Sequence, residues 1–309
     1  MTSRDTLLAA LEPAEQELLR YTDATGSFVS KKLKRLYQLK HKFIFAFVAR
    51  KLRLAIDVRA TLFWGRKVLL PLVDVDVATY YYFGLLGHKE LPLIKYCIKN
   101  LQNNDVVYDI GASHGLYTYL ALEILNQNDG GQCHTFEPNS RTFSYLQKNT
   151  VDSIEDNTLI LNQVALSETD GETEFFTELQ NGASGVGTTK KEVVDTWSAA
   201  HTKVTVQTIS LDSYTHTHRV PTFIKLDVEG AELEVLKGGE QFFKTHSPTI
   251  AMEVWSGEKG RGHSLPAVNQ LRVYGYAPYA ISADGELSEC EFDELLNFSE
   301  TFTNYIFKK

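Results

Sequence analysis

The chain has few cysteines, and no two of them stand at a spacing that suggests a shared role. Its 309 residues include three, Cys97, Cys133 and Cys290, which are odd in number and form no C-x-x-C motif. A disulfide framework needs paired cysteines, and a zinc site needs closely spaced ligands. We therefore interpret the three thiols as small buried hydrophobic groups.

Long apolar runs are also missing. The longest candidates, residues 43–48 and 68–73, are far shorter than the roughly 18 residues that a membrane-spanning helix requires. Residues 1–20 predict an amphipathic helix with acids throughout, without the basic start and apolar block of a secretory signal. At 43% hydrophobic and 23% charged residues, the composition is that of a globular protein, not a disordered one. We expect a cytoplasmic protein without a membrane span.

Basic residues are concentrated in one segment of an otherwise acidic chain. Residues 31–67 contain 12 Lys and Arg against one acid, whereas the net charge of the whole chain is -8. The segment also carries apolar residues at helical spacing, namely Leu36, Leu39, Phe43 and Phe47. One hypothesis is a helix that lies on an anionic membrane surface or binds an anionic glycan or nucleic acid. The alternative is a helix that packs on the main domain and leaves its basic edge in solvent.

From Val68 onward the patterns predict strands that alternate with helices. Before this alternation, Val73, Val75 and Val77 alternate with acids, which favours a half-exposed strand. The predicted strands lie at 106–110, 132–136, 158–165, 221–226 and 248–254, and the predicted helices at 114–125, 141–149 and 229–236. Gly238 and Gly239 are typical of a glycine helix stop, and Asp284-Gly285 of a hairpin turn. The order predicts a doubly wound α/β domain with a mainly parallel sheet.

The segment VVYDIGASHGLYTYLAL holds the clearest ligand signal. A hydrophobic strand runs into Asp109, and Gly111 and Gly115 then precede an apolar helix. Glycine at such a turn lets the backbone approach a ligand, and the helix N-terminus offers unpaired N–H groups. The G-x-G-x-x-G pattern of dinucleotide sites is incomplete here, which disfavours a pyrophosphate ligand. A tight strand-to-helix turn without a ligand is the structural alternative.

Two acids complete this constellation. Glu137 ends the next predicted strand, where an acid can accept both hydrogens of a ribose diol. Together with Asp109 it supplies carboxylates for a ribose and an amino group, with no phosphate cradle. The combination indicates S-adenosylmethionine as the cofactor.

Successive blocks of the chain resemble the FkbM family of S-adenosylmethionine-dependent methyltransferases. The blocks are DIGASHGLYTYLAL, HTFEPNSRTFSYLQKN, NQVALSETDGETEFF, TISLDSY, PTFIKLDVEGAELEVLKGG and PTIAMEV. The resemblance covers about residues 106–253. It implies a Rossmann-like class I methyltransferase domain at 68–309, preceded by a helical, basic N-terminal region at 1–67.

The resemblance also implies which residues hold the cofactor. The cofactor turn consists of Asp109, Gly111, Ala112, Ser113 and Gly115. Glu137 would hold the ribose, Asn162 and Val164 would pass near the adenine, and Asp227 would border the cofactor. The family commonly has Asn in place of Ser113 and an aliphatic residue in place of His114, so this chain departs from the pattern there.

Acids at strand ends are the candidates for catalysis. Asp227 and Glu229 in LDVEG lie where a strand gives way to a helix, and Glu253 ends the following strand. One hypothesis makes Asp227 or Glu229 a general base. Another makes Asp227 and Glu253 ligands of a divalent cation that acidifies a hydroxyl. The structural alternative is that Glu229 caps the helix and Asp227 orders the turn.

Other polar residues and two loops are secondary candidates. His114 and His263 are alternative general bases, although we expect both to be solvated loop histidines. Lys225 is expected to pair with a carboxylate or lie on a solvated edge. The Gly-rich loop at 181–191 is a candidate lid over the acceptor, and 257–262 a candidate rim loop.

The resemblance implies an O-methyltransferase that acts on a hydroxyl of a sugar, a glycan or another secondary metabolite. The Asn- or Asp-Pro-Pro-aromatic motif of enzymes that methylate exocyclic amines is missing, and LDVE stands in its place. We therefore expect an oxygen acceptor in a small molecule or glycan, and not a nucleic acid. The alternatives are a nicotinamide-dependent oxidoreductase, and a non-catalytic protein that binds a membrane, glycan or RNA through its basic region.

Overall fold

The structure is a computed structural model that describes residues 3–22, 56–71, 74, 77–178, 187–195, 201–257, 260–295 and 302–309. The apolar stripe that the sequence predicts in the basic segment, Leu36 to Phe47, lies outside these residues. Within the described residues, no helix has both the length and the apolarity needed to cross a membrane.

Helices and strands alternate through most of the described chain. The α-helices are α1 (Arg4–Thr22), α2 (Val77–Phe83), α3 (Leu91–Asn100), α4 (Leu116–Ile124), α5 (Ser140–Asn149), α6 (Val151–Glu155), α7 (Lys191–Val194), α8 (Leu211–Thr215), α9 (Glu232–Lys237), α10 (Glu240–Thr245) and α11 (Leu265–Val273). The strands are β1 (Asp57–Thr61), β2 (Lys67–Pro71), β3 (Val106–Ile110), β4 (Gln132–Phe136), β5 (Leu159–Asn162), β6 (Ala165–Leu166), β7 (Gly171–Glu178), β8 (Gly187–Thr188), β9 (His201–Ile209), β10 (Phe223–Leu226), β11 (Thr249–Trp255), β12 (Ala277–Ile281), β13 (Leu287–Glu289) and β14 (Phe302–Lys308). Short 3-10 helices lie at Gln127–Asp129 and Phe292–Glu294, and a π-helix lies at Gly260–Ser264.

One mixed sheet of eight strands organises the fold, in the order β13-β12-β14-β11-β10-β3-β4-β5. The neighbours from β11 to β5 are parallel, whereas β14 runs antiparallel between β11 and β12. From β3 the chain winds outward to β5 and then returns to β10 on the other side of β3. This reversal creates the crevice at which open α/β sheets bind ligands. The predicted doubly wound Rossmann-like α/β fold is confirmed.

Strand β3 shows how the sequence produces two core layers. Val106, Tyr108 and Ile110 face one apolar cluster, and Val107 faces the other, as the two-residue period of a strand requires. All five residues of β3 are buried. Burial of every residue of a strand is typical of a parallel strand covered on both faces.

Smaller units flank the main sheet. Strands β6, β9, β7 and β8 form a second sheet, and β1 pairs with β2 in an antiparallel hairpin. Helix α1 packs on α3, where Nζ of Lys95 lies 2.8 Å from Oε1 of Glu15. The predicted N-terminal helix therefore forms and lies against the main domain.

Two local expectations from the sequence are wrong. Strand β1 lies inside the range 1–67 that was expected to be helical. Val77 begins helix α2 and does not continue a strand.

The predicted glycine stop lies where α9 ends. Gly238 follows Lys237 as the C-cap residue, with a right-handed φ of -65°. Gly238 also allows close packing, because a Cβ there would lie 2.0 Å from the carbonyl oxygen of Ser167.

Candidate active site

The crevice opens where β3 and β10 end side by side. Gly111, just after β3, has a φ of +82°, and a Cβ on it would lie 1.9 Å from the carbonyl oxygen of Asp227. Only glycine fits both the left-handed backbone and this close approach. Gly111 thus brings the two chain turns together, and the ends of the two strands form one wall.

A first cavity extends from this wall towards β4. Its wall combines polar groups at the turn with an apolar side. The apolar side consists of Ile110, Phe136, Pro138, Val164, Leu166 and Phe175. The polar side includes Ser113, Glu137, Asp227 and Glu229. An apolar wall with a few convergent polar groups is typical of a site for a small organic ligand.

Glu137 is the buried acid of the first cavity. Its Oε2 accepts from the backbone N–H of Ser113 and its Oε1 from that of Asn139, each at 2.8 Å. Burial raises the pKa of Glu137 to about 7, although these two N–H donors oppose the rise. Each carboxylate oxygen keeps a further lone pair with which it can accept a ligand hydroxyl.

A second, larger cavity of about 1570 Å³ adjoins the first. Gly111, Ser113, Asp227 and Glu229 line both cavities. The second cavity also has aromatic walls and several titratable groups. Among its lining residues are Tyr80, Tyr117, Trp255, Lys89, Glu90 and Asp109. Two ligands can therefore meet at the four shared residues.

Asp109 lies on the wall of the second cavity and is 2% exposed. Its Oδ2 accepts a hydrogen bond of 2.6 Å from Oγ1 of Thr118. Burial raises its pKa to about 6, and the Thr118 hydrogen bond and the charge of Lys225 lower it in part. Asp109 therefore holds its proton up to a higher pH than an exposed aspartate does.

Lys225 is buried among the acids of the second cavity. The sequence left open whether this lysine pairs with a carboxylate or lies on a solvated edge. Nζ of Lys225 lies 2.9 Å from Oδ2 of Asp227 and 5.2 Å from the ring centroid of Tyr117. The hydroxyl of Tyr117 donates to Oε2 of Glu90 at 2.6 Å. Burial opposes the charge on Lys225, but the carboxylates of Asp227, Glu90 and Glu253 raise its pKa above the ordinary value. Lys225 therefore stays charged and keeps Asp227 paired.

Glu253 lies near the end of β11, beside Lys225. Its Oε2 accepts from Nε1 of Trp255 at 2.5 Å, and its side chain is buried. Burial raises its pKa well above the ordinary range, and the charges of Asp227 and Glu229 raise it further. Glu253 therefore holds a proton more readily than an exposed glutamate.

The turn after β10 is not a simple cap in which the Glu229 side chain caps the following helix. Glu229 has a left-handed φ of +54° and lines both cavities. Oε1 of Glu232 accepts from the backbone N–H groups of Val228 and Gly230, at 3.1 and 3.2 Å. Glu232 thus accepts hydrogen bonds from the backbone N–H groups of the turn at the start of α9. Glu229 lies on the cavity wall. The expectation that Glu229 caps the helix is wrong.

The two candidate histidines lie in different surroundings. His114 is 3% exposed and lines the second cavity, so its expected place in a solvated loop is wrong. Its Nε2 lies 3.2 Å from Oδ2 of Asp74. His263 is half-buried on the π-helix, with its ring edge-on to Trp255 at 5.8 Å between centroids. Only His114 lies on a cavity wall described above.

Some predicted cofactor residues lie away from the first cavity. A Cβ on Gly115 would lie 2.4 Å from Cδ2 of Leu146, so this glycine allows helix packing. The Asn162 side chain donates to the carbonyl oxygens of Thr135 and Ile160, within the sheet. Ala112 lines the second cavity, whereas Val164 lines the first.

Asp227 and Glu253, the predicted ligands of a divalent cation, do not belong to a larger cluster of metal-binding side chains among the described residues. Among the described residues, no group of three or more His, Cys, Asp or Glu side chains could hold a metal ion. Asp227 is paired with Lys225 instead. Residues 181–186 of the candidate lid and 258–259 of the candidate rim loop lie outside the described chain, while Gly187 and Thr189 line the first cavity.

Several residues in and next to the second cavity were not predicted from the sequence. Glu90 lines the cavity, Asp74 contacts the lining residue His114, and Nδ2 of Asn304 donates to Oε2 of Glu90 at 3.1 Å. No local motif marks these residues. The pairing of Lys225 with Asp227 was available from spacing, because residues two apart on a strand face the same side.

Comparison with known proteins gives one extensive match. Residues 109–278, more than half of the chain, match the family described as the methyltransferase FkbM domain. Over 153 residues the chain is 29% identical to the hexuronic acid methyltransferase AglP of Haloferax volcanii. That match covers 48% of this chain and 56% of AglP, so it spans little more than half of the relative.

Two solved structures are also similar. The methyltransferase FkbM of Methylobacillus flagellatus KT has a TM-score of 0.44 and 15% identity, over 68% of this chain and 44% of that one. An S-adenosylmethionine-dependent O-methyltransferase of Thermotoga maritima has a TM-score of 0.40 and 9% identity, over 82% of this chain and 77% of that one.

Proposed function

The chain belongs to the FkbM methyltransferase family, and on that premise we propose that it transfers a methyl group from S-adenosylmethionine to a hydroxyl oxygen of a sugar or glycan. The observation that carries the proposal is the pair of adjoining cavities with four shared wall residues. One cavity suits the cofactor and the other the acceptor, and the shared wall is where a methyl group would pass between them.

The first cavity fits S-adenosylmethionine by the chemistry of its wall. Glu137 offers carboxylate oxygens for the ribose hydroxyls, and Phe136, Val164 and Leu166 offer an apolar surface for the adenine. Gly111 and Ser113 lie on the same wall. When bound, the cofactor supplies an electrophilic methyl group on a sulfonium.

The chain's own residues would position the acceptor and take up its proton. Methyl transfer is an in-line displacement, so orientation of the acceptor oxygen contributes much of the rate. Asp227 and Glu229 stand on the shared wall as candidates to bind or deprotonate the hydroxyl. Because Oδ2 of Asp227 is already engaged by Nζ of Lys225, Asp227 is better suited to orient a hydroxyl than to remove its proton.

The sugar acceptor is supported by the relative from Haloferax volcanii, which is named as a hexuronic acid methyltransferase. The second cavity agrees with a sugar in its chemistry, because it combines carboxylates that accept hydroxyl hydrogens with the rings of Tyr80, Tyr117 and Trp255.

A methyl-transfer assay tests the proposal. The full chain is incubated with S-adenosylmethionine and a panel of methyl glycosides, and S-adenosylhomocysteine release and product mass are followed. We expect a singly methylated sugar with equal S-adenosylhomocysteine release. Methylation of an amine and no hydroxyl in a matched panel would contradict the oxygen acceptor.

A further inference from the structure

His114 and Asp74 form a buried pair that the proposed function does not yet use. Their side chains are 3% and 2% exposed, and Nε2 of His114 lies 3.2 Å from Oδ2 of Asp74. The other carboxylate oxygen, Oδ1, accepts from Nη1 of Arg141 at 3.1 Å. The ring of Tyr80 stands edge-on to the imidazole at 6.3 Å between centroids. The imidazole is thus held between a carboxylate and an aromatic ring.

This arrangement assigns different roles to the two ring nitrogens. Arg141 engages the other oxygen of Asp74, and a carboxylate beside Nε2 favours a proton on that nitrogen. In a neutral ring, Nδ1 is then an acceptor. Nε2 of His114 and Oδ2 of Asp74 lie within ion-pair distance, but they are not aligned for a hydrogen bond. Catalytic hydrogen bonds are often poorly aligned before a substrate binds.

Nδ1 of His114 is an unsatisfied polar atom of a residue that lines the second cavity. It is buried and, like Nε2 of the same ring and Oδ2 of Asp74, it has no hydrogen-bond partner among the residues that the structure describes. A buried acceptor without a partner is destabilising. His114 lines the second cavity, so a hydroxyl of a bound acceptor can supply the missing hydrogen bond.

We propose that His114 is the general base that accepts the acceptor's hydroxyl proton at Nδ1, and that Asp74 is a positioning residue that orients the ring. The inference rests on the proposed function. The hydroxyl oxygen forms a bond to the methyl carbon, and the carbon–sulfur bond breaks with its electron pair left on sulfur. The hydroxyl proton moves to Nδ1, and Asp74 stabilises the resulting imidazolium.

The neighbouring acids are less suited to this role. Oδ2 of Asp227 is already engaged by Nζ of Lys225 at 2.9 Å. Oε2 of Glu253 is already engaged by Nε1 of Trp255. A neutral imidazole accepts a proton without first losing a charge partner, and so Nδ1 of His114 is the better base.

The tautomer of His114 can be measured without an acceptor. Long-range proton–nitrogen NMR spectra are recorded on the full chain, labelled with nitrogen-15 histidine and saturated with S-adenosylhomocysteine, and His114→Gln assigns the signal. We expect a neutral ring with its proton on Nε2. In Asp74→Asn, Arg141 keeps the amide oxygen and the NH2 group faces Nε2, so the proton should move to Nδ1. Asp284→Asn, in the exposed hairpin turn, is the matched control and should change nothing.

Two results of this experiment would overturn the proposal. A proton on Nδ1 in the wild type would leave no acceptor at the cavity. An unchanged tautomer in Asp74→Asn would remove Asp74 as the orienting group.

Turnover then tests the chemical role, with a methyl glycoside that the wild type methylates. We expect His114→Gln and Asp74→Asn to lower kcat by about 100-fold or more, while KM and the affinity for S-adenosylhomocysteine stay within about twofold, less than 0.5 kcal/mol. His216→Gln, at an exposed histidine, should keep the wild-type kcat. An unchanged kcat in His114→Gln would overturn only the roles proposed for His114 and Asp74. A wild type that binds no S-adenosylhomocysteine would overturn the proposed function.

Discussion

Nζ of Lys225 lies 2.9 Å from Oδ2 of Asp227, two residues further along the same chain. The lysine side chain is 2% exposed and that of the aspartate 29%, so the pair joins a buried cation to the cavity wall. Removing one partner of such a pair leaves a charge without compensation in a poorly solvated place.

Replacing Lys225 with Met tests this relationship. Methionine keeps the apolar stem and removes the charge, so we expect the free energy of unfolding to fall by about 2–3 kcal/mol. Urea denaturation measures it. Lys244→Met removes a lysine from an exposed pair with Glu240 and is the control; it should cost about 0.5 kcal/mol or less. Equal effects of the two substitutions would contradict a structural role of the buried pair.

Gly111→Ala tests whether the crevice depends on the close approach of two turns. Its Cβ would overlap the carbonyl oxygen of Asp227 at 1.9 Å, so the ends of β3 and β10 must separate. Gly65→Ala is the matched control, because Gly65 has a φ of +97° and no atom within 4 Å of an added Cβ. The control should cost the conformational strain alone, about 1–2 kcal/mol. Gly111→Ala should cost clearly more in urea denaturation, and a similar cost at both positions would contradict the account.

Glu137 predicts a pH dependence of stability. Its pKa is raised from 4.5 to about 7 in the folded state, so the folded state holds the proton more tightly. The stability from this group is fully present below the unfolded pKa and is lost as pH rises through about 7. Relative to Glu137→Gln, which stays neutral, the wild type should lose up to about 3 kcal/mol between pH 4.5 and pH 7.5. Urea denaturation at both pH values checks this, and a constant difference would be incompatible with it.

The charge of the second cavity predicts which sugars bind. Its described wall carries five carboxyl groups against two lysines, and one of these, Lys225, is already paired. A carboxylate ligand would meet like charge, so we expect methyl glucuronide to bind the S-adenosylhomocysteine complex about tenfold more weakly than methyl glucoside, or 1.4 kcal/mol. Calorimetric titration with each sugar measures the difference in affinity. Glu229→Gln, on the cavity wall, should narrow this difference and the exposed Glu289→Gln should not, whereas tighter binding of the glucuronide would contradict the prediction.

The parts of the fold that the sequence predicted are those fixed by local patterns. Strands β3 and β4 lie at the predicted residues because each is a short, buried run bounded by turn residues. Gly111 and Glu137 were recognisable because each directly follows such a strand. Strand β1 was missed because its basic and apolar residues continue the composition of the preceding segment.

The site residues that the sequence did not predict depend on contacts between distant segments. Glu90 and Asn304 meet although 214 positions separate them, and neither belongs to a motif. The burial of His114 also depends on Asp74 and Tyr80, which come from the chain before β3. A single sequence shows residue types along one segment, whereas the surroundings of a side chain follow from the packing of several.

The binding of S-adenosylhomocysteine tests the central claim most directly. Purified full-length protein is titrated calorimetrically with S-adenosylhomocysteine, with NADH as the competing ligand class and Glu137→Ala as the site variant. We predict micromolar binding to the wild type, or about -8 kcal/mol, clearly weaker binding to Glu137→Ala and none of NADH. Binding of NADH but not of S-adenosylhomocysteine by the folded wild type, or equal affinity in Glu137→Ala, would contradict a methyl-donor site in the first cavity.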